Sequence, residues 1–393
     1  MSLPNIPVWE DNDSSWIPLA PLASDLISDV CVIGLGGSGL TSIRELLVKS
    51  SLSIIGLDAG DIGSGASGRN GGFLLAGAAS FYHDHIKEVG RVAACAAYTA
   101  TLRELDIIFK ELPQDIVQRT GSLRIAADAA EEADCILQYN AMIADNLPVS
   151  MYEGVEGRGL LFPSDGVMQP LRRVRYLARK VSADGARLFG SSFVTAIESN
   201  NNTNNDDDTV NDDRTVTVRV KDGKIVTARR VIVAIDGRLE MILPELSSRV
   251  RTARLQMVAS GPCTKRAAQA NSARPIYSRY GYDYWQVRDD GCVALGGLRD
   301  TDEAAEWTCE NTPSSNIQEG LRALLAGPGV RCMSPVTHAW AANVAYTIKG
   351  DEPIHEQVRK GVFAIGAYSG TGNVIGAVYG KKAAQWVMHE LVN

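Results

Sequence analysis

Short apolar runs that end at glycine or aspartate alternate along the chain with stretches whose apolar residues recur at helical spacing, which predicts an α/β protein. The first run is Val30-Cys31-Val32-Ile33, followed at once by Gly34-Leu35-Gly36-Gly37-Ser38-Gly39. Leu40, Ile43, Leu46 and Leu47 then recur at helical spacing, and a second apolar run over residues 53–57 ends at Asp58. This order predicts a βαβ unit with a right-handed crossover. Residues 88–145 read as alanine-rich helix, broken by Pro113 and by a strand-like stretch at 121–125. A helix over 171–183 and a strand over 187–197 are expected next. Residues 199–213 are Asn/Asp-rich with almost no apolar side chain to offset the entropy of ordering, which predicts a mobile surface loop. Val216, Val218 and Val220 alternate with polar residues, Asp222-Gly223 supplies a turn and Ile225 begins the return, so a β-hairpin is expected. Residues 230–235 form another apolar strand. Residues 254–298 read as strands carrying Tyr277, Tyr280, Tyr282, Tyr284 and Trp285, the antiparallel sheet of a second domain. A strand at 362–365, the turn Gly370-Thr371-Gly372-Asn373 and a helix over 377–391 end the chain.

A chain of 393 residues exceeds one ordinary core, so two interlocked domains are expected. Hydrophobic residues at 45% and charged residues at 22% match globular usage. Five of the acidic residues are Asp206, Asp207, Asp208, Asp212 and Asp213; without them the net charge of −7 becomes −2. That balance offers no attraction to nucleic acid or anionic lipid. Seven cysteines are odd in number, scattered and never in a CxxC pair, which predicts neither a disulfide framework nor a zinc site and favours a reducing compartment. The first 28 residues have no basic start and no apolar run, and no stretch approaches a membrane span, so a cytoplasmic location is expected. The five histidines show no metal-ligand spacing, and no metal is expected.

The Gly34-x-Gly36-x-x-Gly39 element lies between a predicted strand and helix, and Asp58 follows 24 positions after Gly34. Gly34 permits the tight turn, Gly36 lets the backbone approach a pyrophosphate, and Gly39 allows close helix–strand packing. The helix N-terminus favours phosphate charge, and Asp58 can accept hydrogen bonds from ribose hydroxyls. A dinucleotide site is therefore expected. The run Gly63-Ser64-Gly65-Ala66-Ser67-Gly68-Arg69-Asn70-Gly71-Gly72 adds backbone donors and a cation where a second phosphate and a ring system would lie.

With Asp58-Ala59-Gly60, the 65–72 run and the terminal Tyr368-Ser369-Gly370-Thr371-Gly372-Asn373, the chain resembles the D-amino-acid oxidase superfamily of flavoproteins. Within that superfamily it is most similar to the branch with glycine oxidase, sarcosine oxidase and gamma-glutamylputrescine oxidase. The Ser15-Trp16-Ile17-Pro18-Leu19 lead-in is close to the putrescine-derivative members. The resemblance implies FAD and an α/β fold with a discontinuous Rossmann-like FAD domain at 1–90, 155–240 and 335–393. It also implies an α+β substrate domain at 91–154 and 241–334 with helices and an antiparallel or mixed sheet. It places Gly34, Gly36, Gly37, Ser38 and Gly39 at the pyrophosphate and Asp58 and Ala59 at the ribose. Ala66, Ser67, Arg69, Asn70, Gly71 and Gly72 wrap the flavin end, and the backbone of Val194 meets adenine. Gly370, Thr371, Gly372, Asn373 and Val374 lie against the isoalloxazine, where a helix N-terminus stabilises an anionic reduced ring.

The departures from the family are also informative. Asp58 stands where Glu is usual. Relatives with covalent flavin carry His near the Arg69–Asn70 position or Cys near Val344, and neither is present, so noncovalent FAD is expected. Glycine oxidase-like members carry an arginine shortly after the equivalent of Trp340 that pairs with the substrate carboxylate. Here the run is Trp340-Ala341-Ala342-Asn343-Val344-Ala345-Tyr346, which favours an amine substrate, with Arg279, Arg288 or Arg299 as possible substitutes if one faces the flavin. Hydride transfer asks mainly for positioning, and Tyr282, Tyr284 and Tyr346 are the candidates for holding substrate. No lysine lies between Lys265 and Lys349, so the oxygen-activating lysine of sarcosine oxidase-like members is missing. The expected activity is oxidation of an amine C–N bond, with electrons passing to O2 or another acceptor. An amino-acid oxidase or dehydrogenase, or a flavin-binding subunit without turnover, is the alternative.

Overall fold

The strand β1 (Leu26–Ile33), helix α1 (Gly37–Lys49) and strand β2 (Ile54–Leu57) form the expected βαβ unit, with β1 and β2 parallel. The computed structural model describes residues 3–10, 15–199, 216–263, 274–350 and 352–392; the acidic loop expected at 199–213 lies almost wholly outside them. On its other edge β1 pairs in parallel with Ile225–Val233, which in turn pairs in parallel with Val362–Gly366. Arg187–Phe189 extends the parallel set beyond β2, and the expected hairpin, Val216–Val220 with Ile225–Val233, adds an antiparallel flank. Alternation along β1 sorts its side chains: Val30 and Val32 join the core under α1, Pro170–Ala183 and the C-terminal helix Gly372–Leu391, while Cys31 and Ile33 join the core of the opposite face.

A second eight-stranded sheet runs in the order Val336–Thr347, Val250–Pro262, Cys292–Gly297, Asp283–Val287, Ile276–Ser278, Ser122–Ile125, Gly157–Phe162 and Ser150–Gly154. It is antiparallel except where Ile276–Ser278 meets Ser122–Ile125. Its outer face, with Leu123, Ile276, Trp285, Leu295 and Val258, is covered by the helix Ser315–Ala326. On the other face Met257, Ala294 and Trp340 join the core of the first sheet, with Tyr284 packed against it.

Several expectations need correction. Strands Gly157–Phe162 and Val336–Thr347, which lie in the ranges 155–240 and 335–393 expected for the FAD domain, pair within the second sheet; partner choice along the ladder is a tertiary property. The strand expected over 187–197 is two strands, because the chain turns after Phe189 and Ser191 and Ser192 donate to the carbonyls of Gly60 and Asp58. The tyrosine-rich segment is not continuous strand: Arg279 and Tyr280 both have positive φ in a short turn, which folds Tyr277 directly opposite Tyr284. Cys263 and Cys332 form a disulfide 69 positions apart, against the expectation of none. Their scatter along the chain conceals a pairing that the second sheet creates. Among the described residues no helix is long and apolar enough to cross a membrane.

Candidate flavin and substrate site

The turn after β1 has the geometry that a pyrophosphate requires. Gly34 has φ +94°, and a Cβ there would stand 2.6 Å from the Ala234 carbonyl; a Cβ on Gly39 would stand 1.9 Å from the Gly34 carbonyl. Helix α1 starts at Gly36 with no side-chain cap, so its N-terminal amides are unprotected by a capping residue. The amide of Gly37 donates to Ser67 Oγ at 3.0 Å, and a Cβ on Gly36 would meet that same oxygen at 2.7 Å. Helix N-terminus, glycine cradle and serine hydroxyl thus converge on one spot, and the residues fit a dinucleotide diphosphate. Ser38 is buried against the C-terminal helix, where a Cβ on Gly380 would meet its carbonyl at 2.5 Å.

Asp58 links two turns. Its Oδ2 accepts from the Leu35 amide at 2.8 Å and its Oδ1 from the Gly60 amide at 3.0 Å, while burial pushes the pKa of its carboxyl up despite those bonds. Ala59 is exposed beside it, and Val194 opens the strand reached after Ser191 and Ser192 pair with this turn.

The loop at 69–74 is held from three directions. The carbonyls of Arg69, Asn70 and Gly71 accept from Trp340 Nε1 (2.7 Å), Trp9 Nε1 (2.8 Å) and Gln286 Nε2 respectively. Asn70 Nδ2 donates to the carbonyls of Ala66 and Ser67, and its Oδ1 accepts from the Gly72 amide and from Asn373 Nδ2. Arg69 departs from expectation: its guanidinium donates to the Ala341 carbonyl and to Asn5, so it ties the loop to the second sheet and the N-terminal segment. Trp9 and Gln286 escaped sequence reasoning because neither lies in a motif.

Opposite this loop is the C-terminal turn. Gly370 has φ +86°, Thr371 precedes the helix Gly372–Leu391 with its hydroxyl donating to the Tyr368 carbonyl rather than capping the helix, Asn373 also donates to the Phe73 carbonyl at 2.8 Å, and Val374 is buried. Asp236 braces the turn by accepting from the amides of Tyr368 (3.1 Å) and Ala345 (3.2 Å); burial pushes its carboxyl up to about 6.

The structure separates the three candidate tyrosines by environment. Tyr284 packs over Gly71, where a Cβ would meet its ring at 3.2 Å, and edge-on to Phe73. The Tyr346 hydroxyl lies 3.5 Å from where a methyl on Gly370 would stand. Tyr282 lies beside Arg299, whose guanidinium carbon is 5.8 Å from its ring. Tyr284 and Tyr346 thus approach the two loops from the second sheet. Of the three arginines, Arg279 is spent on Asp283 and Asp300, and Arg288 on the Val8 carbonyl and Asp290. Arg299 is buried beside Tyr346.

A glycine-turn cradle on a parallel sheet, closed by a loop and a helix N-terminus beneath a second sheet, defines the architecture of a flavin-dependent oxidoreductase. The chain belongs to the FAD dependent oxidoreductase family, whose model matches residues 29–386. It is 24% identical over 374 residues to a probable oxidoreductase OrdL of Rhizobium meliloti, covering 91% of this chain and 82% of that one. It is also 24% identical over 387 residues to the gamma-glutamylputrescine oxidoreductase of Escherichia coli, covering 91% and 83%. Its fold matches that of glycine oxidase from Geobacillus kaustophilus with a TM-score of 0.73 over 93% of this chain and 95% of the other, at 16% identity.

Proposed function

We propose that this FAD-dependent oxidoreductase oxidises the C–N bond of an amine. The observation that carries the reading is the apposition of the 69–74 loop and the Gly370–Val374 turn to Tyr284 and Tyr346. These elements would hold FAD, which would supply the two-electron acceptor for the hydride leaving the carbon that bears the neutral amine; the resulting imine would be hydrolysed by water. The chain's own part is positioning: the glycine turn and α1 would hold the diphosphate, Asp58 the ribose, and the backbone of Val194 the adenine. Asn70, Asn373 and the carbonyl clamps of Trp9, Trp340 and Gln286 hold the loop rigid, and the tyrosines wall the substrate side. The names of the relatives support this class, since one specifies an amine and the fold neighbour an amino acid.

FAD is held noncovalently on this reading, because Arg69, Asn70 and Val344 occupy the attachment positions. Acid precipitation that leaves the yellow colour in the pellet would refute that. The activity is tested by anaerobic bleaching of the flavin band with a panel of amines and amino acids. Bleaching by at least one of them is expected, and a panel that bleaches nothing makes the chain a flavin-binding protein without turnover. Re-oxidation of the bleached sample with air, or only with an added dye, separates O2 from another acceptor.

A further inference from the structure

A carboxylate stands where the parallel strands end. Ile225–Val233 lies between β1 and Val362–Gly366, and three positions beyond it Asp236 has φ +45°. The residues just before it close on the glycine turn: a Cβ on Gly34 would meet the Ala234 carbonyl at 2.6 Å and the Ile235 side chain at 2.8 Å. On the other side, a Cβ on Gly366 would meet the Asp236 Cα at 3.3 Å. The side chain joins the segment of Tyr346 to the turn before Gly370. Its Oδ1 accepts from the Tyr368 amide at 3.1 Å, its Oδ2 from the Ala345 amide at 3.2 Å, and the Ala367 amide donates to it as well. Ala367 and Ser369 have φ +56° and +50°, a conformation that side chains rarely adopt, so the carboxylate holds a strained turn directly ahead of Gly370.

The charge on this clasp is poorly compensated. Three amides favour the ionised form, but Glu240, bonded to the amide and hydroxyl of Thr252, adds repulsion, and burial pushes the carboxyl up to about 6. Arg238, two positions on, donates to the Cys309 carbonyl, and the Arg299 guanidinium carbon sits 4.8 Å over the Tyr346 ring. The hydroxyls of Tyr346 and Tyr368, which also face this corner, are kept neutral by burial. The N-terminus of the helix Gly372–Leu391 favours negative charge on a ring seated at the turn, whereas a carboxylate bonded to Ala367 and Tyr368 opposes it. We propose that Asp236 is a positioning residue that couples flavin reduction to a proton: its carboxylate opposes the negative charge that reduction brings and takes up a proton from solvent as that charge arrives. The balance is two electrons and one proton to the ring as hydride, and one further proton to Asp236. The inference goes beyond the amine-oxidation reading and rests only on FAD occupying the site.

The test compares flavin-replete wild type with Asp236→Asn and Asp236→Gly, the last being a residue that the positive φ accepts without strain. Each protein is reduced anaerobically with dithionite against reference dyes, so no amine is needed, and the ratio of reduced to oxidised flavin at a fixed potential is read from absorbance. At pH 8 the wild-type carboxylate is charged and the variant side chains are not; at pH 5 all three are neutral. The variant ratio divided by the wild-type ratio should be at least about threefold larger at pH 8 than at pH 5, for both variants. Lost hydrogen bonds alone shift both pH values equally. A quotient independent of pH, or one that falls toward pH 8, would overturn the proposal. If Asp236→Asn loses its flavin, Asp236→Gly carries the comparison. If both do, protons taken up by wild type on reduction at pH 7 are counted with a pH indicator. More than one per two electrons, with a spectrum showing the ring anionic, is expected, and one alone overturns the coupling.

Discussion

Asn373 Nδ2 donates to Asn70 Oδ1 at 3.1 Å, joining two asparagines 303 positions apart. The same amide group donates to the Phe73 carbonyl, so one side chain at the start of the C-terminal helix pins the loop that follows the βαβ unit. Replacing Asn373 by Ala removes this donor from both acceptors, leaving Asn70 Oδ1 with only the Gly72 amide, a cost of about 0.5–1.5 kcal/mol for each part-buried bond. The variant should purify with less flavin than protein and melt earlier than wild type. Full flavin content with an unchanged melting temperature would show that the clasp contributes nothing.

The glycine turn yields a paired prediction. Gly39→Ala forces a Cβ to 1.9 Å from a backbone oxygen, a clash that no rotamer relieves, so the variant should lose FAD binding and stability together. Gly65→Ala has open space around the new methyl and should stay within about 0.5 kcal/mol of wild type. Denaturant melts and flavin titrations of the two proteins side by side measure the contrast.

Asp165 sits buried under the 74–76 segment, accepting from the Ala76 amide at 2.9 Å and the Ser122 hydroxyl at 2.6 Å, and burial pushes its carboxyl up to about 7. A carboxyl raised above its unfolded value near 3.8 contributes stability that is complete below that value and is lost as pH climbs through about 7. Wild type should therefore lose stability relative to Asp165→Asn between pH 4.5 and pH 8, by at most about 4 kcal/mol. A constant difference across that range would contradict the assignment.

Glu306 accepts from Arg254 Nε and Nη2 at 3.1 and 2.7 Å and from Gln256 Nε2 at 2.9 Å, all inside the second sheet's cover. Glu306→Ala leaves a buried guanidinium unpaired and should cost about 3–5 kcal/mol, whereas the double change Arg254→Met with Glu306→Leu should recover most of it.

The disulfide is checked by counting thiols. Unfolded without reductant, the protein should show five reactive cysteines, Cys31, Cys95, Cys135, Cys292 and Cys309, and seven after reduction. Cys332→Ser should lower stability by about 2–5 kcal/mol, measured against oxidised wild type.

Local pattern was enough to read β1, α1 and β2, the hairpin, the C-terminal helix and the glycine turns, because steric tolerance at Gly34 and alternation in a buried strand are properties of a few adjacent residues. The same locality made the family legible in the 65–72 and 368–373 runs. What no local pattern carries is pairing across long separations. That Val336–Thr347 joins the second sheet, that Cys263 meets Cys332, and that Arg69 turns toward Asn5 and Ala341 follow from which strands pack together. Arg279, Arg288 and Arg299 looked alike along the chain. Only the folded surroundings, two aspartates for the first, a carbonyl and an aspartate for the second, and the aromatic rings of Trp307 and Tyr346 for the third, set them apart, because burial and partner geometry depend on residues brought together from distant parts of the chain.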